Sequence, residues 1–144
     1  YVLKNREEWK FERVWVKTFN VQAITLFWDQ KSNYLIVGLD DGKVIALNVP
    51  SELNYIKYDE VINLKLHESR VMGLYYDTSF SLIHSISEDK YFRSYNLSKR
   101  DEITKLLLGN SGLTFLKVDE EFKRAFDSNR SGSVYILDIF RVGI

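Results

Sequence analysis

Residues 69–97 read SRVMGLYYDTSFSLIHSISEDKYFRSYNL, and two further stretches superpose on them without a gap. These are 21–49, VQAITLFWDQKSNYLIVGLDDGKVIALNV, and 111–139, SGLTFLKVDEEFKRAFDSNRSGSVYILDI, at offsets of 48 and 42 residues. Each copy opens on a run rich in Tyr, Phe, Val and Leu and reaches an acidic turn at Asp29, Asp77 or Asp119. A second apolar run follows, then a polar turn, then a third run ending Leu47-Asn48, Tyr95-Asn96 or Leu137-Asp138. Short β-branched and aromatic bursts bounded by Asp, Gly, Ser and Asn are the punctuation of strands and hairpins.

Working outward, further strands are expected at 61–66 and 103–108 between the copies, and the second strand of the third copy at 122–126. Before them, residues 9–19 alternate with Trp9, Phe11, Arg13, Trp15, Lys17 and Phe19 on one side, as an outer strand would. A fourth strand per copy gives the division 1–20 as the outer strand of a preceding unit, 21–66 and 67–110 as complete units, and 111–144 as an incomplete one. Repeats of ~40–45 residues with about four strands each mark the blades of WD40 propellers. The fold class expected is therefore all-β: a partial WD40 β-propeller of about three four-stranded antiparallel blades.

The middle copy resembles a WD40 blade most fully. His67 precedes its first strand, Ser85 lies in the second, Asp89 in the turn and Tyr95 in the third. The resemblance implies a hydrogen-bonded set in which Asp89 holds the His67 ring and Ser85 relays to the aromatic, with Tyr95 where Trp usually stands and the set weakened for that reason. The first copy retains only Asp41, beside Phe19, Val37 and Leu47, and the third has Gly109, Asp127, Ser131 and Leu137 at these places. The runs IVGLDDGKVIALNV, HESRVMGLYYD, EDKYFRSYNL and FDSNRSGSVYILD, in that order, also look like the propeller of the WD repeat and FYVE domain-containing proteins. In that family the propeller accompanies a zinc-binding module that reads phosphatidylinositol 3-phosphate. That module cannot be carried over, because its ligands are cysteines and this chain has none.

Composition narrows the function classes. Twenty Lys and Arg balance twenty Asp and Glu, so no global field draws the chain to nucleic acid or acidic lipid. The absence of Cys excludes a disulfide framework, a thiolate nucleophile and an iron–sulfur site. With 45% hydrophobic residues the chain can bury enough apolar surface to fold. No apolar run approaches the ~20 residues of a membrane helix. The charged opening YVLKNREEWK reads as neither leader nor anchor, and the first residue, Tyr1, suggests a processed chain or a piece of a longer one. A cytoplasmic location is expected.

Other motifs in the sequence have plainer readings. Asp127, Asn129, Ser131, Gly132, Val134 and Asp138 fall at positions 1, 3, 5, 6, 8 and 12 of an EF-hand calcium loop. The aligned copies place a hairpin there, with Gly132 at positive φ. Residues 38–43, GLDDGK, are too short and too acidic for a phosphate loop and read as an Asp-Gly turn. Two histidines, His67 and His84, are poor material for zinc; His67 is read as structural and His84 as a half-buried filler. No catalytic residues and no cofactor are expected.

What is left is binding. The residue before each turn Asp or its equivalent, Asp40, Glu88 and Arg130, should stand on one rim, with Arg70 and Met72 near it as candidate partner contacts. The function expected is a non-catalytic adaptor, tied to membrane traffic by the resemblance; the alternative is a structural subunit of a large cytoskeletal or ciliary assembly. The partners are other proteins, with no nucleic acid and no membrane span. At ~43 residues per blade the chain holds about three and a third, fewer than the four to eight that close a ring, so further blades from the same or a partner chain are expected.

Overall fold

A computed structural model describes residues 7–50 and 59–139. Residues 1–6, 51–58 and 140–144 of the ranges expected for blades lie outside the described residues. Eleven strands are present among the described residues and no helix. They are β1 (Ala23–Asp29), β2 (Tyr34–Leu39), β3 (Lys43–Asn48), β4 (Asp59–Lys65), β5 (Val71–Asp77), β6 (Leu82–Ser87), β7 (Tyr91–Asn96), β8 (Asp101–Leu107), β9 (Leu113–Asp119), β10 (Arg124–Asn129) and β11 (Val134–Asp138). Each sheet is an antiparallel meander in chain order: β1 to β4, β5 to β8, and β9 to β11. Adjacent sheets approach through their first strands, β1 with β5 and β5 with β9.

The turns repeat more faithfully than the sequence does. After the first strand of each sheet, a carboxylate caps the turn amides. Asp29 accepts from Ser32 N at 3.1 Å, Asp77 from Ser79 N at 3.0 Å and Asp119 from Glu121 N at 3.1 Å. The turn then closes on a left-handed residue, Asn33 (φ 60°), Ser81 (φ 56°) or Lys123 (φ 54°). The next turn closes on Gly42 (φ 91°), Lys90 (φ 80°) or Gly132 (φ 92°). A Cβ at Gly42 would also collide with the His67 carbonyl oxygen, so Gly is required there twice over. A register shift recurs at the start of every first strand, opposite Leu39, Ser87 and Asn129.

Burial follows the pleat. On β2, Ile36 turns to the second sheet, where it packs with Val44, Ala46 and Ile62 against Leu74, Tyr76, Ile83 and Tyr95. Val37 and Leu39 turn the other way. On β6, Ile83 faces the first sheet while Ile86 faces the third, packing with Phe92 against Leu113 and Ala125. A strand covered on both faces has no water-facing side: β2 is a near-continuous apolar run, and in β6 the polar His84, Ser85 and Ser87 are buried along with Ile83 and Ile86. Each fully buried Ile or Leu here contributes roughly 1.5–3 kcal/mol.

Two expectations need correction. Residues 9–19 form no strand: among the described residues none pairs with them in a ladder. Instead Trp15, Phe19 and Val21 pack over Val37, Leu39, Ile45 and Leu47 on the outer face of the first sheet, and Trp9 and Phe11 remain exposed. The strand expected at 122–126 begins at Arg124 and runs to Asn129, because the left-handed residue Lys123 sets the strand start and leaves Phe122 in the turn.

Candidate functional site

The middle sheet brings His67, Ser85 and Asp89 together from sites 18 and 22 residues apart. His67 Nδ1 lies 2.9 Å from Asp89 Oδ2, and its Nε2 lies 2.7 Å from Ser85 Oγ. A carboxylate only accepts, so Nδ1 carries the proton, and in the neutral ring Nε2 accepts from the Ser85 hydroxyl. Asp89 also accepts from the Glu68 and Tyr91 amides, each at 3.0 Å. Burial alone would raise the Asp89 carboxyl; the His67 hydrogen bond and charge, with those two amides, overcome it and hold the pKa below the usual carboxylate value.

The order Ser–His–Asp is that of a hydrolase. Ser85 is 0% exposed and His67 1%, so no substrate reaches the hydroxyl and the set clamps the blade. Tyr95 is buried against Tyr76 and Ile83 and contributes packing; among the described residues no hydrogen bond joins it to Ser85. Asp41, in the first sheet, accepts from Lys43 N at 3.2 Å and pairs with the Lys43 ammonium at 3.9 Å, because Phe19 stands where a histidine would have to be.

The rim positions form a second constellation. Arg70 Nε donates to Asp40 Oδ1 at 2.6 Å, across the junction of the first and second sheets. Arg130 pairs with Glu88 across the next junction. The Asp40 hydrogen bond and charge, together with the charge of Glu88, raise the Arg70 pKa. Asp40, Arg70, Glu88 and Arg130 thus alternate in sign along one end of three sheets. Met72 does not join them: it is half-buried against Ile86, Phe92 and Leu113, because its side chain points into the junction.

No protein-family model matches the chain. A chain in the solved structure titled Crystal Structure of Mitotic Checkpoint Complex superposes on 87% of it with a TM-score of 0.72 and 17% sequence identity. The fold is a partial WD40 β-propeller. The chain spans about a third of the length of that neighbour, 36%.

In the third blade of this propeller the clamp is absent. Asp127 occupies the place of Ser85, and Gly109 that of His67. The Tyr135 hydroxyl stands where a Cβ at 109 would go and accepts from Asn129 Nδ2 at 3.3 Å. Asp127 is 1% exposed, and among the described residues neither carboxylate oxygen has a hydrogen-bond partner. Burial pushes its pKa up to about 7.

The calcium-loop residues do not converge. Asp127 points inward, and Asn129 Oδ1 is occupied by the Ser131 and Ser133 amides at 3.1 and 2.9 Å. Ser131 Oγ turns to Ser111 at 2.8 Å, and Asp138 pairs with Arg124 at 3.5 Å. Among the described residues no cluster of three or more His, Cys, Asp or Glu could hold a metal.

Several contacts lay beyond the sequence reading. His84 is fully buried rather than half-buried, donating or accepting at Ser94 Oγ (2.6 Å) and stacked between Tyr75 and Phe92 at 6.2 and 5.7 Å. Burial drives its pKa down to about 4. At the opposite rim Asp29 pairs with Thr78, and Asp77 with Lys123 at 3.0 Å, again across the two junctions.

Proposed function

We propose that the chain is a non-catalytic protein-interaction scaffold whose docking surface is the charged rim. The carrying observation is the alternating series Asp40, Arg70, Glu88, Arg130, which is 40%, 41%, 21% and 61% exposed at the side chains and spans three blades on one side. A fixed pattern of alternating charge on a rigid edge discriminates between partners by complementarity. The neighbour's place in a structure of a complex supports protein partners. The test is charge reversal, Arg70→Glu and Arg130→Glu, in tagged chain expressed in cells, with co-purifying proteins quantified. Loss of specific partners with an unchanged melting temperature supports the rim; retention of every partner refutes it.

A second reading, a structural subunit of a larger assembly, is favoured by the third sheet. It has three strands, and its outer face exposes Phe115 (61%), Val134 (71%) and Ile136 (66%). The matching face of the second sheet is covered by the third. Further blades, from the same or a partner chain, would cover it. An adaptor purifies as a monomer with weak ligands, and an obligate subunit purifies only with its partner. The resemblance to the WD repeat and FYVE domain-containing proteins supports a cytoplasmic place in membrane traffic, tested by imaging the tagged chain against endosomal markers.

A further inference from the structure

The two junctions between blades are not alike at the rim opposite the charged one. At the first, Tyr34 and Tyr76 pack ring to ring at 5.7 Å and the Arg100 guanidinium donates to the Val61 carbonyl at 3.3 Å, so the end of the junction is filled. At the second, the residues equivalent to those two tyrosines are Leu82 and Val118. Val118 packs inside the junction, whereas Leu82, smaller than the tyrosine it replaces, lines a groove of about 770 Å³ together with Ile139. Phe80 (43% exposed) and Ile103 (52% exposed) form its apolar lips.

The charges of the groove are unbalanced. Asp77 spends one oxygen on Ser79 N at 3.0 Å and the other on Lys123 Nζ at 3.0 Å, so that pair is internally neutral. Lys99 also lines the groove and is in no ion pair among the described residues. The first junction has a tyrosine ring at the place of Leu82, this groove has none there, and the lining charge left without an ion pair among the described residues is positive.

We propose that this groove takes a short extended peptide that inserts one aromatic side chain over Leu82 and sets a flanking carboxylate against Lys99. The aromatic replaces the ring that the first junction supplies from its own chain, and an apolar anchor beside a charge contact is the usual composition of a small binding hot spot. The inference rests on the reading of the chain as an interaction scaffold and adds a docking place distinct from the charged rim.

The probe is a fluorescein-labelled synthetic peptide, Gly-Glu-Tyr-Glu-Gly, titrated with the full chain by fluorescence anisotropy. Two controls replace its Tyr with Ala or both Glu with Lys. Saturable binding at least about tenfold tighter than either control is expected, an energy difference typical of one good anchor. Leu82→Tyr should fill the gap and abolish binding while leaving the melting temperature unchanged or higher. Lys99→Glu should invert the preference between the Glu and Lys peptides. Arg70→Glu, on the other rim, should change nothing. No saturable binding, binding insensitive to Leu82→Tyr and Lys99→Glu, or equal binding of the Ala control overturns the inference. If rim reversals still release protein partners in that case, the scaffold reading stands and the groove alone fails.

Discussion

Asp127→Asn keeps the shape of a buried side chain and removes its charge, and the gain in stability should depend on pH in a specific way. The carboxyl is 1% exposed, both its oxygens lack partners among the described residues, and burial raises its pKa from 3.8 to about 7. Below about pH 4 the group is neutral in both folded and unfolded chains and costs no charge penalty. Between about 4 and 7 the unfolded chain has released its proton while the folded chain keeps it. Unfolding then releases a proton, and stability falls as pH rises. Above about 7 both states are ionised and the loss is complete. A gap of about three units at 1.36 kcal/mol each sets an upper limit on the order of 4 kcal/mol, and relaxation of the site brings the expected value to about 2–4 kcal/mol. Urea unfolding followed by circular dichroism should show wild type and variant within about 1 kcal/mol of each other at about pH 4.5 and the variant more stable by about 2–4 kcal/mol at about pH 7.5. A difference that is the same at both pH values would mean that the Asp127 charge is solvated in the folded chain, and the argument would fail.

Three further outcomes follow from the same contacts. His67→Ala strands the Ser85 hydroxyl, 0% exposed, and removes one partner of Asp89, so a loss of about 2–3 kcal/mol is expected, seen as a fall of about 5–10 °C in thermal unfolding; a fall of less than about 1 °C would remove the clamp from the account. Gly38→Ala puts a Cβ 2.6 Å from Val71 Cγ1 and 2.7 Å from Thr25 Cγ2 at the first junction, an overpacking cost of about 1–3 kcal/mol. Adding Val71→Ala should recover part of it, and strict additivity of the two losses would show that the clash is absent. Asp89 is held below its unfolded value of 3.8, so its contribution is present above that pH and is lost as pH falls through the folded value. Asp89→Asn should therefore be less stable at neutral pH yet lose less on acidification below about pH 4, and parallel acid curves would contradict this.

The fold could be read because strand spacing is a local property. The spacing between turns of short strand runs such as Val44 to Leu47 and Leu82 to Ser87, and the Asp that caps each first turn, survive even where the copies share few identities. The same local reading failed at 9–19, where alternation describes a segment that can enter a sheet but does not supply the neighbouring edge. It failed also at Phe122, where one left-handed residue moves the start of a strand by two positions. His67 and Asp89 were legible because their spacing is fixed inside one blade. The orphaned state of Asp127 was not, since it depends on Gly109 and Tyr135 failing to provide the imidazole that the second blade has.

The rim pairs were hidden for a different reason. Asp40–Arg70, Glu88–Arg130, Asp29–Thr78 and Asp77–Lys123 are separated by 30, 42, 49 and 46 residues, the last three close to one repeat, and each joins neighbouring blades, so none shows in an alignment made within a blade. Opposite charges at such separations would be the signal to search for. Because each rim pair spans a junction, a single reversal alters both the docking pattern and the contact between sheets, and a lost partner alone would not say which mattered. The double reversal Asp40→Arg with Arg70→Asp separates the two. It rebuilds the ion pair, an exposed one worth about 0–1 kcal/mol, while inverting the charge order presented to a partner. If the double variant melts with wild type and still loses the partners that Arg70→Glu loses, the rim is read by its charge order. If it regains those partners, the pair serves only to hold the first blade against the second.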